Sequence, residues 1–272
     1  MALIERTFSD RAKAVNTNLA QLVTERFDGS LLREPISYTL LSAGKRLRPL
    51  LVLETAALLG LEEKAVMRTA CAIEFVHTSS LVFDDLPCMD DSKTRRGQPC
   101  LHLAYDESTA ILAALSLLVE AFPLVAADCR TGGLSLDETD QALLCLSQTV
   151  GGQGMALGQY LDLKRVPGMP KPQIGGLKTA TLMMACVELA GRLGHATAEY
   201  LAGLRSYGER LGQAYQLHDD HQDISQDREN AGSIAQANDD VLRHRVVSDA
   251  VTPPDFPSHS IELHPGTVGE GK

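Results

Sequence analysis

Two clusters of aspartates constrain the fold of this 272-residue chain more than any other feature of its sequence. The first lies in VFDDLPCMDDSKTRRG, residues 82–97, and the second lies in QLHDDHQD, residues 216–223. Crowded carboxylates raise each other's pKa unless a cation lies between them. Magnesium suits that position, because it prefers oxygen ligands and binds through one or two carboxylates together with substrate phosphates. The two clusters, with arginines directly after the first, therefore indicate a diphosphate held between metal ions.

The first cluster is predicted to lie at the end of a helix that covers residues 70–86. Pro87 has no amide hydrogen and disfavours helical backbone at the residue before it, so the helix should end there. Asp84 and Asp85 then occupy the last turn, where the helix dipole disfavours negative charge. Asp90 would lie well round an unbroken helix from Asp84, and the break at Pro87 lets it return. A solvated helix end does not explain this costly placement.

The second cluster is predicted to lie on a long helix over residues 197–224. Asp219 and Asp223 are four residues apart, which places both on one helical face. His218 and His221 also lie in this segment, but magnesium prefers oxygen ligands, so they are not assigned to the metal.

The composition favours an all-α fold in one main domain. Only 4% of the residues are aromatic and none is Trp, which suits an aliphatic helical core better than a β-sandwich. No linker, charge block or repeat divides the chain before residue 230, so residues 1–230 are predicted to form one domain. The net charge of −10 argues against a nucleic-acid surface.

The cysteines and the apolar segments bear on the cellular location. The six cysteines include no C-x-x-C pair, which is typical of reduced thiols rather than of a disulfide framework or a zinc site. The N-terminal residues lack the apolar region of a signal peptide, and no segment has about 18 uninterrupted apolar residues. The sequence therefore predicts a cytoplasmic protein without a transmembrane segment.

Further helices are predicted from hydrophobic periodicity and capping signals. Residues 107–127 are apolar nearly all round, so this helix is expected to be buried, with a kink at Pro123. Ser135 and Glu138 have the spacing of a capping box, and residues 164–176 are predicted to be a loop. The remaining helices are expected at residues 8–27, 31–43 and 50–60.

Five motifs occur in the order seen in trans-prenyl diphosphate synthases. They are LSAGKRLRP (41–49), EFVHTSSLVFDDLPCMDDSKTRRGQPCLH (74–102), GQYLDL (158–163), LKTATL (177–182) and LGQAYQLHDD (211–220). The sequence resembles most the bacterial geranylgeranyl diphosphate synthases of carotenoid pathways. The resemblance implies a single-domain helical bundle of the isoprenoid synthase type with a central apolar tunnel, and a homodimer.

The resemblance also implies roles for individual residues. The magnesium ligands would be Asp84, Asp85, Asp90, Asp219 and Asp223, with Asp220 beside them in the catalytic cluster. Isopentenyl diphosphate would be bound by Lys45, Arg48, His77 and Arg96, within a basic segment that also contains Arg46. The allylic diphosphate would be bound by Arg95, Lys178 and Thr179, with Gln216 as a further substrate-binding residue. Synthases that stop at farnesyl diphosphate typically have an aromatic residue in the region of Ser79 and Ser80. The two serines leave room for at least one further addition, which predicts geranylgeranyl diphosphate as the main product, with a longer product as the alternative.

Two other functions are compatible with part of the sequence. A class I terpene cyclase shares the fold and the first aspartate motif, but it typically lacks GKRLRP and the Arg95–Arg96 pair, which favour the synthase. A non-catalytic partner subunit of an active synthase would account for the unusual tail, but not for two intact aspartate clusters.

The tail, residues 231–272, departs from the family pattern. Ser233 stands where a lysine is expected, one short helix is predicted over residues 239–251, and residues from about 252 onward are expected to be disordered. The expectation is a truncated or frame-disrupted synthase, or one that has dispensed with its C-terminal layer, with reduced activity and stability.

Overall fold

The computed structural model describes the backbone of residues 2–164 and 176–230, and the side chains of residues 8–164 and 176–216. Within these ranges almost all of the chain is helical, which confirms the all-α prediction. The helices are α1 (Ala2–Arg26), α2 (Arg33–Leu40), α3 (Leu47–Leu58), α4 (Glu63–Asp84), α5 (Leu101–Ala104), α6 (Glu107–Thr131), α7 (Leu136–Val150), α8 (Met155–Lys164), α9 (Thr181–Leu193) and α10 (Ala198–Asn230). A π-helical turn, Gly176–Ala180, precedes α9, and a short antiparallel hairpin pairs β1 (Thr94–Arg95) with β2 (Gln98–Pro99).

Helix α4 forms the centre of the core. All of its residues from 70 to 76 are buried, so it needs neighbours on every side, and α3, α6 and α9 pack against it. The ring of Phe75 lies 6.5 Å from the ring of Phe27, which closes the core beside α1. Because α4 is fixed along most of its length, its C-terminal residue Asp84 has a fixed position at the end of the bundle.

The outer face of α6 contradicts the prediction of a helix buried on all sides. Four large apolar side chains there are between 42% and 57% exposed: Ile111, Leu112, Leu115 and Val119. Four buried alanines on the inner face allow α6 to approach α4 closely: Ala110, Ala113, Ala114 and Ala121. The small residues therefore face the core, and the large ones remain outside. The helix runs through Pro123 to Thr131.

Helix α6 also has the length and the composition of a membrane span, and among the described residues it alone does. Of its 18-residue apolar window, 39% is buried inside the protein. A core helix of a soluble protein has the same composition, so this helix by itself is a weak indication of a membrane.

Local sequence signals account for two helix boundaries. Ser135 caps α7, because its Oγ accepts a hydrogen bond from the Glu138 amide at 3.2 Å and the Glu138 carboxylate accepts one from the Ser135 amide at 2.7 Å. This capping box confirms the prediction. Helix α4 ends at Asp84, directly before the break expected at Pro87.

Glycines bring the second half of the chain close to the site. A Cβ atom at Gly158 of α8 would lie 2.7 Å from the Lys178 amide nitrogen, and one at Gly212 of α10 would lie 2.4 Å from the Ala180 Cα. Only glycine permits these approaches. As a result α8 and α10 both pack directly against the π-helical turn, which carries Lys178 and Thr179.

Several predictions fall outside the described residues. They concern most of the loop at 164–176, all of residues 231–272 with Ser233 and the helix at 239–251, and the side chains of Asp219, Asp220, Asp223, His218 and His221. Helix α10 extends past the second aspartate cluster, as expected for its backbone.

Candidate active site

The chain leaves α4 at Asp84 and returns to it within six residues. The Asp90 amide donates a hydrogen bond to the Asp84 carbonyl at 2.9 Å, and the amides of Met89 and Asp91 both donate to the Leu86 carbonyl. This turn around Pro87 places Asp90 beside the helix end. The structure agrees with the expected return.

The Asp84 carboxylate lies in an environment that disfavours its charge. Burial raises its pKa to about 6, and the nearby carboxylates of Asp90 and Asp85 act in the same direction. The ammonium group of Lys178, which lies close enough to act on it, opposes the shift. A divalent cation beside Asp84 would lower this pKa, because it favours the ionised carboxylate.

Asp85 points into the protein and binds Arg95. The Arg95 guanidinium donates to Asp85 Oδ1 through Nη2 at 2.5 Å and through Nε at 3.1 Å, and the Asp85 side chain is almost fully buried. The buried Cys100 thiol also interacts with this carboxylate, and burial followed by Asp85 raises the pKa of the thiol to about 11. Asp85 therefore holds Arg95 near the aspartate cluster, while Asp84 and Asp90 remain as the other two predicted magnesium ligands of that cluster.

The β1–β2 hairpin, which the sequence did not predict, separates Arg95 from Arg96. Its two-residue turn has positive φ at both positions, 54° at Arg96 and 81° at Gly97. Turns of this kind follow strand twist but are uncommon for residues other than Gly, Asn and Asp. The strained backbone at Arg96 sends neighbouring guanidiniums to different partners, since Arg96 lies near Ser42 and Glu74.

A basic pocket lies two helical turns before Asp84, at His77. Nη1 of Arg48 lies 3.1 Å from His77 Nε2, and the Arg48 guanidinium carbon lies 6.0 Å from the centre of the Tyr215 ring. Burial, and then the neighbouring arginines, lower the pKa of His77 well below its ordinary value. Because a guanidinium only donates hydrogen bonds, neutral His77 accepts through Nε2 and carries its proton on Nδ1. Lys45, three residues before Arg48 in the sequence, is exposed to solvent.

The π-helical turn Gly176–Ala180 contains two of the residues predicted to bind the allylic diphosphate, Lys178 and Thr179. Lys178 Nζ donates to Asp162 Oδ2 at 2.7 Å, and Thr179 Oγ1 donates to Gln216 Oε1 at 2.6 Å. Both residues lie in the π-helical turn directly before α9. The hydrogen bond to Gln216 links this turn to α10, which carries the second aspartate cluster.

Two orphaned polar groups support a polar ligand in this region. Gln159, one turn before Asp162 on α8, has both amide atoms buried without a hydrogen-bond partner among the described residues. The Nε atom of Arg48 is in the same situation. Buried polar groups are normally paired, so each of these two side chains has hydrogen-bonding capacity that the described residues do not use.

The described carboxylates fit magnesium only with help from a substrate. No group of three or more His, Cys, Asp or Glu side chains comes together within the described part of the chain. Magnesium does not require one, since it binds through one or two carboxylates and the phosphates of a substrate. Asp84 and Asp90 provide such a pair.

A cleft of about 430 Å³ lies between α7 and α9, and Thr181, the residue directly after the π-helical turn, contributes to its lining. Its described lining comes from α7, α9, Gln153 and Arg205, and none of it from α4. This cleft is therefore distinct from the tunnel expected along α4, beside Ser79. At its lower end Glu188 binds two arginines, Arg192 and Arg205.

The sequence is similar to known prenyl diphosphate synthases over most of its length. The polyprenyl synthetase family model matches residues 29–244. The farnesyl diphosphate synthase of Haemophilus influenzae is 36% identical over 245 residues, covering 86% of this chain and 82% of that protein. The putative geranylgeranyl pyrophosphate synthase 8 of Arabidopsis thaliana, a chloroplastic protein, is 34% identical over 83% of this chain, which spans 64% of its length.

Solved structures support the same relationship. An apo FPP/GFPP synthase from Zymomonas mobilis superposes with a TM-score of 0.78 at 28% identity, covering 92% of each chain. A geranyltransferase from Legionella pneumophila gives a TM-score of 0.79 at 28% identity, covering 92% of this chain and 90% of the other. Both the extent of the family match and the identity to the bacterial relative place the chain in one group: it belongs to the polyprenyl synthetase family of trans-prenyl diphosphate synthases.

Proposed function

We propose that the chain is a magnesium-dependent prenyltransferase that condenses isopentenyl diphosphate with an allylic diphosphate. One observation carries the proposal: two separate groups of cations flank the aspartate cluster at the end of α4. Lys178 and Arg95 both act on the Asp84 carboxylate, and Arg48 and Arg96 lie beside neutral His77, two helical turns away. Two cationic groups match two diphosphates, whereas a terpene cyclase binds only one.

The allylic diphosphate would bind against the aspartates. Magnesium, held by Asp84 and Asp90 and by the second aspartate cluster, would neutralise the leaving diphosphate when bound. Lys178 and Thr179 would stabilise the charge that develops as the diphosphate departs. Asp85 would keep Arg95 near the same group. These residues leave the allylic carbon electron-deficient.

Isopentenyl diphosphate would bind in the basic pocket with its double bond towards that carbon. Arg48 and Arg96 suit this role, because a planar guanidinium binds phosphate oxygens in bidentate fashion. Neutral His77 accepts a hydrogen bond from Arg48 and so fixes the direction of its guanidinium. The double bond attacks the allylic carbon, a carbon–carbon bond forms, and loss of a proton completes a five-carbon extension.

An incubation with magnesium, isopentenyl diphosphate and an allylic primer tests this function. A synthase gives an extended prenyl diphosphate, and a cyclase gives a cyclised hydrocarbon from the allylic substrate alone. A non-catalytic partner gives neither product. Absence of any extended diphosphate with dimethylallyl, geranyl and farnesyl primers would overturn the proposal.

We further propose geranylgeranyl diphosphate as the main product, as in the carotenoid-pathway synthases that the sequence resembles. Ser79, one turn before Asp84, is small and only 1% exposed, so a product chain that passes along α4 would meet less side-chain volume there than it would beside an aromatic residue. The relatives include both farnesyl and geranylgeranyl diphosphate synthases, so similarity to them does not choose between the two products. The small side chain of Ser79 is what supports the geranylgeranyl product.

A homodimer in the cytoplasm is proposed as the working form. The exposed apolar stripe of α6 supports the dimer, because a second copy would remove it from water. All six cysteines are free thiols, and all but Cys88 are buried, which supports a reducing compartment.

A further inference from the structure

Arg46 lies between two predicted substrate-binding residues but is buried away from solvent. Its side chain is 1% exposed, while Lys45 is exposed and Arg48 is half-buried. The guanidinium donates to four acceptors on three helices and one loop: Asn16 Oδ1 at 2.8 Å, Glu74 Oε1 at 2.6 Å, the Leu40 carbonyl at 3.0 Å and the Ser42 carbonyl at 2.8 Å. With its donors engaged in this way, Arg46 is not available to a diphosphate.

These contacts fix the start of α3. Arg46 precedes the first residue of α3 and has a φ of 52°, in the left-handed region that residues other than glycine seldom adopt. Such a conformation persists only where the surroundings determine it, and they do so here through the four hydrogen bonds. Arg48 follows two residues later, in the first turn of α3. The direction of Arg48 therefore depends on how Arg46 is held.

Glu74 also faces the second arginine of the basic pocket. Its Oε1 lies 3.7 Å from Arg96 Nη2, and Arg96 Nη1 lies 3.3 Å from the Ser42 hydroxyl. A Cβ atom at Gly44 would lie 3.1 Å from the Arg96 guanidinium carbon, so that guanidinium rests against the backbone of the loop. Arg96 is thus directed by longer contacts than those that hold Arg46.

The charges around Glu74 leave the pocket positive. The guanidiniums of Arg46 and Arg96 lie beside the Glu74 carboxylate, the Arg48 guanidinium lies beside His77, and His77 is neutral. The difference is a net charge of +2. Arg46 neutralises Glu74 at close range, so Arg48 and Arg96 keep their charge for an anion.

We propose that Arg46 and Glu74 are positioning residues for isopentenyl diphosphate: Arg46 sets Arg48 through the start of α3, and Glu74 directs Arg96. The proposal rests on the proposed function, since it concerns the same pocket. Neither residue touches the substrate. If Glu74 directs Arg96, its removal should weaken the binding of isopentenyl diphosphate. Electrostatics alone would strengthen that binding, because the removal of a negative charge favours a bound diphosphate.

The first test compares the wild type with a double variant in which both partners of the ion pair are replaced. A buried ion pair can often be replaced by neutral residues of similar volume without loss of stability, although removal of one partner is costly. Glu74→Gln together with Arg46→Met should therefore stay folded, with a melting temperature near that of the wild type. Calorimetry should give an affinity for isopentenyl diphosphate at least about tenfold weaker than wild type, with the Michaelis constant of the allylic primer changed by less than about twofold. A folded double variant with wild-type affinity would overturn the proposal.

A second measurement does not need the double variant, because Glu74→Gln keeps an amide oxygen that accepts a hydrogen bond from Arg46. Glu74→Gln should weaken binding of isopentenyl diphosphate in the wild-type background, but change it by less than about twofold when Arg96→Ala is already present. Equal effects in both backgrounds, or tighter binding by Glu74→Gln, would overturn the role of Glu74.

Glu188→Gln provides the matched control, because Glu188 is also buried and also binds two arginines, on α9 and α10. It should change the melting temperature and leave the affinity for isopentenyl diphosphate unaltered. If the wild type binds no isopentenyl diphosphate, the proposed function fails and this inference fails with it. If the wild type binds and turns over substrate but the pocket variants equal it, only this inference fails.

Discussion

Single side chains in the site carry charges, or lack them, because of what surrounds them. Burial raises the pKa of Asp84 to about 6, and burial with four nearby arginines keeps His77 neutral. In the protein without ligands, the buried charge of Asp84 lowers stability, and the surroundings of His77 keep a second proton off its ring. Both also prepare the site for ligands, since a cation favours ionised Asp84 and a neutral His77 accepts from Arg48.

Asp84→Asn should therefore separate stability from activity. Because folding raises the Asp84 pKa, its ionised form lowers the stability of the metal-free protein as the pH rises from about 4 to about 6, and at pH 7.5 the full cost is present. The asparagine removes this cost, so the metal-free variant should be more stable by about 1 to 3 kcal/mol at pH 7.5 and equal to wild type near pH 4. Turnover with magnesium should fall by several orders of magnitude. Thermal melts at both pH values and a turnover assay decide this, and ordinary turnover would refute the metal assignment.

Arg48 and Lys178 should sort the two substrates. Removal of a charged hydrogen-bond donor costs about 1.5–3 kcal/mol, or roughly ten- to a hundredfold in affinity. Arg48→Ala should raise the Michaelis constant for isopentenyl diphosphate by this factor and barely change that of the primer, while Lys178→Ala should do the reverse. Lys64→Ala, at an exposed lysine paired with Glu62, is the control and should change neither constant. Equal effects of both variants on both substrates would mean that the two pockets are assigned wrongly.

At the scale of secondary-structure elements, rules that act over a few residues were sufficient for some boundaries. The capping box at Ser135 and the end of α4 before Pro87 both follow from the local sequence. The β1–β2 hairpin does not, because its turn places an arginine at positive φ, where sequence rules expect glycine, asparagine or aspartate. Tertiary contacts of Arg96 outweigh that local preference.

In the candidate site, too, some features follow from the local sequence and others depend on tertiary contacts. The motifs predict which residues share the site, but they do not predict which of the neighbouring arginines are buried inside the protein. Arg46 lies in the same basic segment as Lys45 and Arg48, yet it is buried. One signal was available: Glu74 is an acidic residue inside the apolar stretch ACAIEFV, and a buried carboxylate requires a cationic or hydrogen-bonding partner. The identity of that partner depends on the packing of α3 against α4, which is not a local property.

Helix α4 should also control product length. The side chain one turn before Asp84 is Ser79, and Ser79→Phe adds a large volume at a buried position. A packed interior tolerates added volume poorly, so the space for the growing chain should shrink and the product should shift from geranylgeranyl to farnesyl diphosphate. Chromatography of the dephosphorylated products measures the shift. Ser147→Phe, at an exposed serine of α7, is the control and should leave the distribution unchanged. Farnesyl diphosphate as the main wild-type product, or no shortening in Ser79→Phe, would refute this role.

At the scale of the whole molecule, the two faces of α6 have different surroundings. The alanine face fixes α4 and hence the position of Asp84, whereas the outer face exposes large apolar side chains along more than two turns. Scattered exposed apolar residues are ordinary on a monomer, but a contiguous stripe marks an interaction surface. A contact through this stripe would brace α4 from outside, because α6 lies directly against it.

The stripe should hold two copies of the chain together. Leu115→Glu places a charge at the centre of the outer face, and burying it without a partner would cost several kcal/mol in a dimer, so the variant should be monomeric at micromolar concentration. Sedimentation velocity should show a dimer for the wild type and a monomer for Leu115→Glu. Leu58→Glu, at an isolated leucine that is 74% exposed at the end of α3, should remain dimeric. A wild type that sediments as a monomer, or a Leu115→Glu variant that sediments like the wild type, would exclude the outer face of α6 as the dimer interface. Because α6 braces α4, the monomeric variant should also lose turnover, even though no substrate-binding residue has been changed.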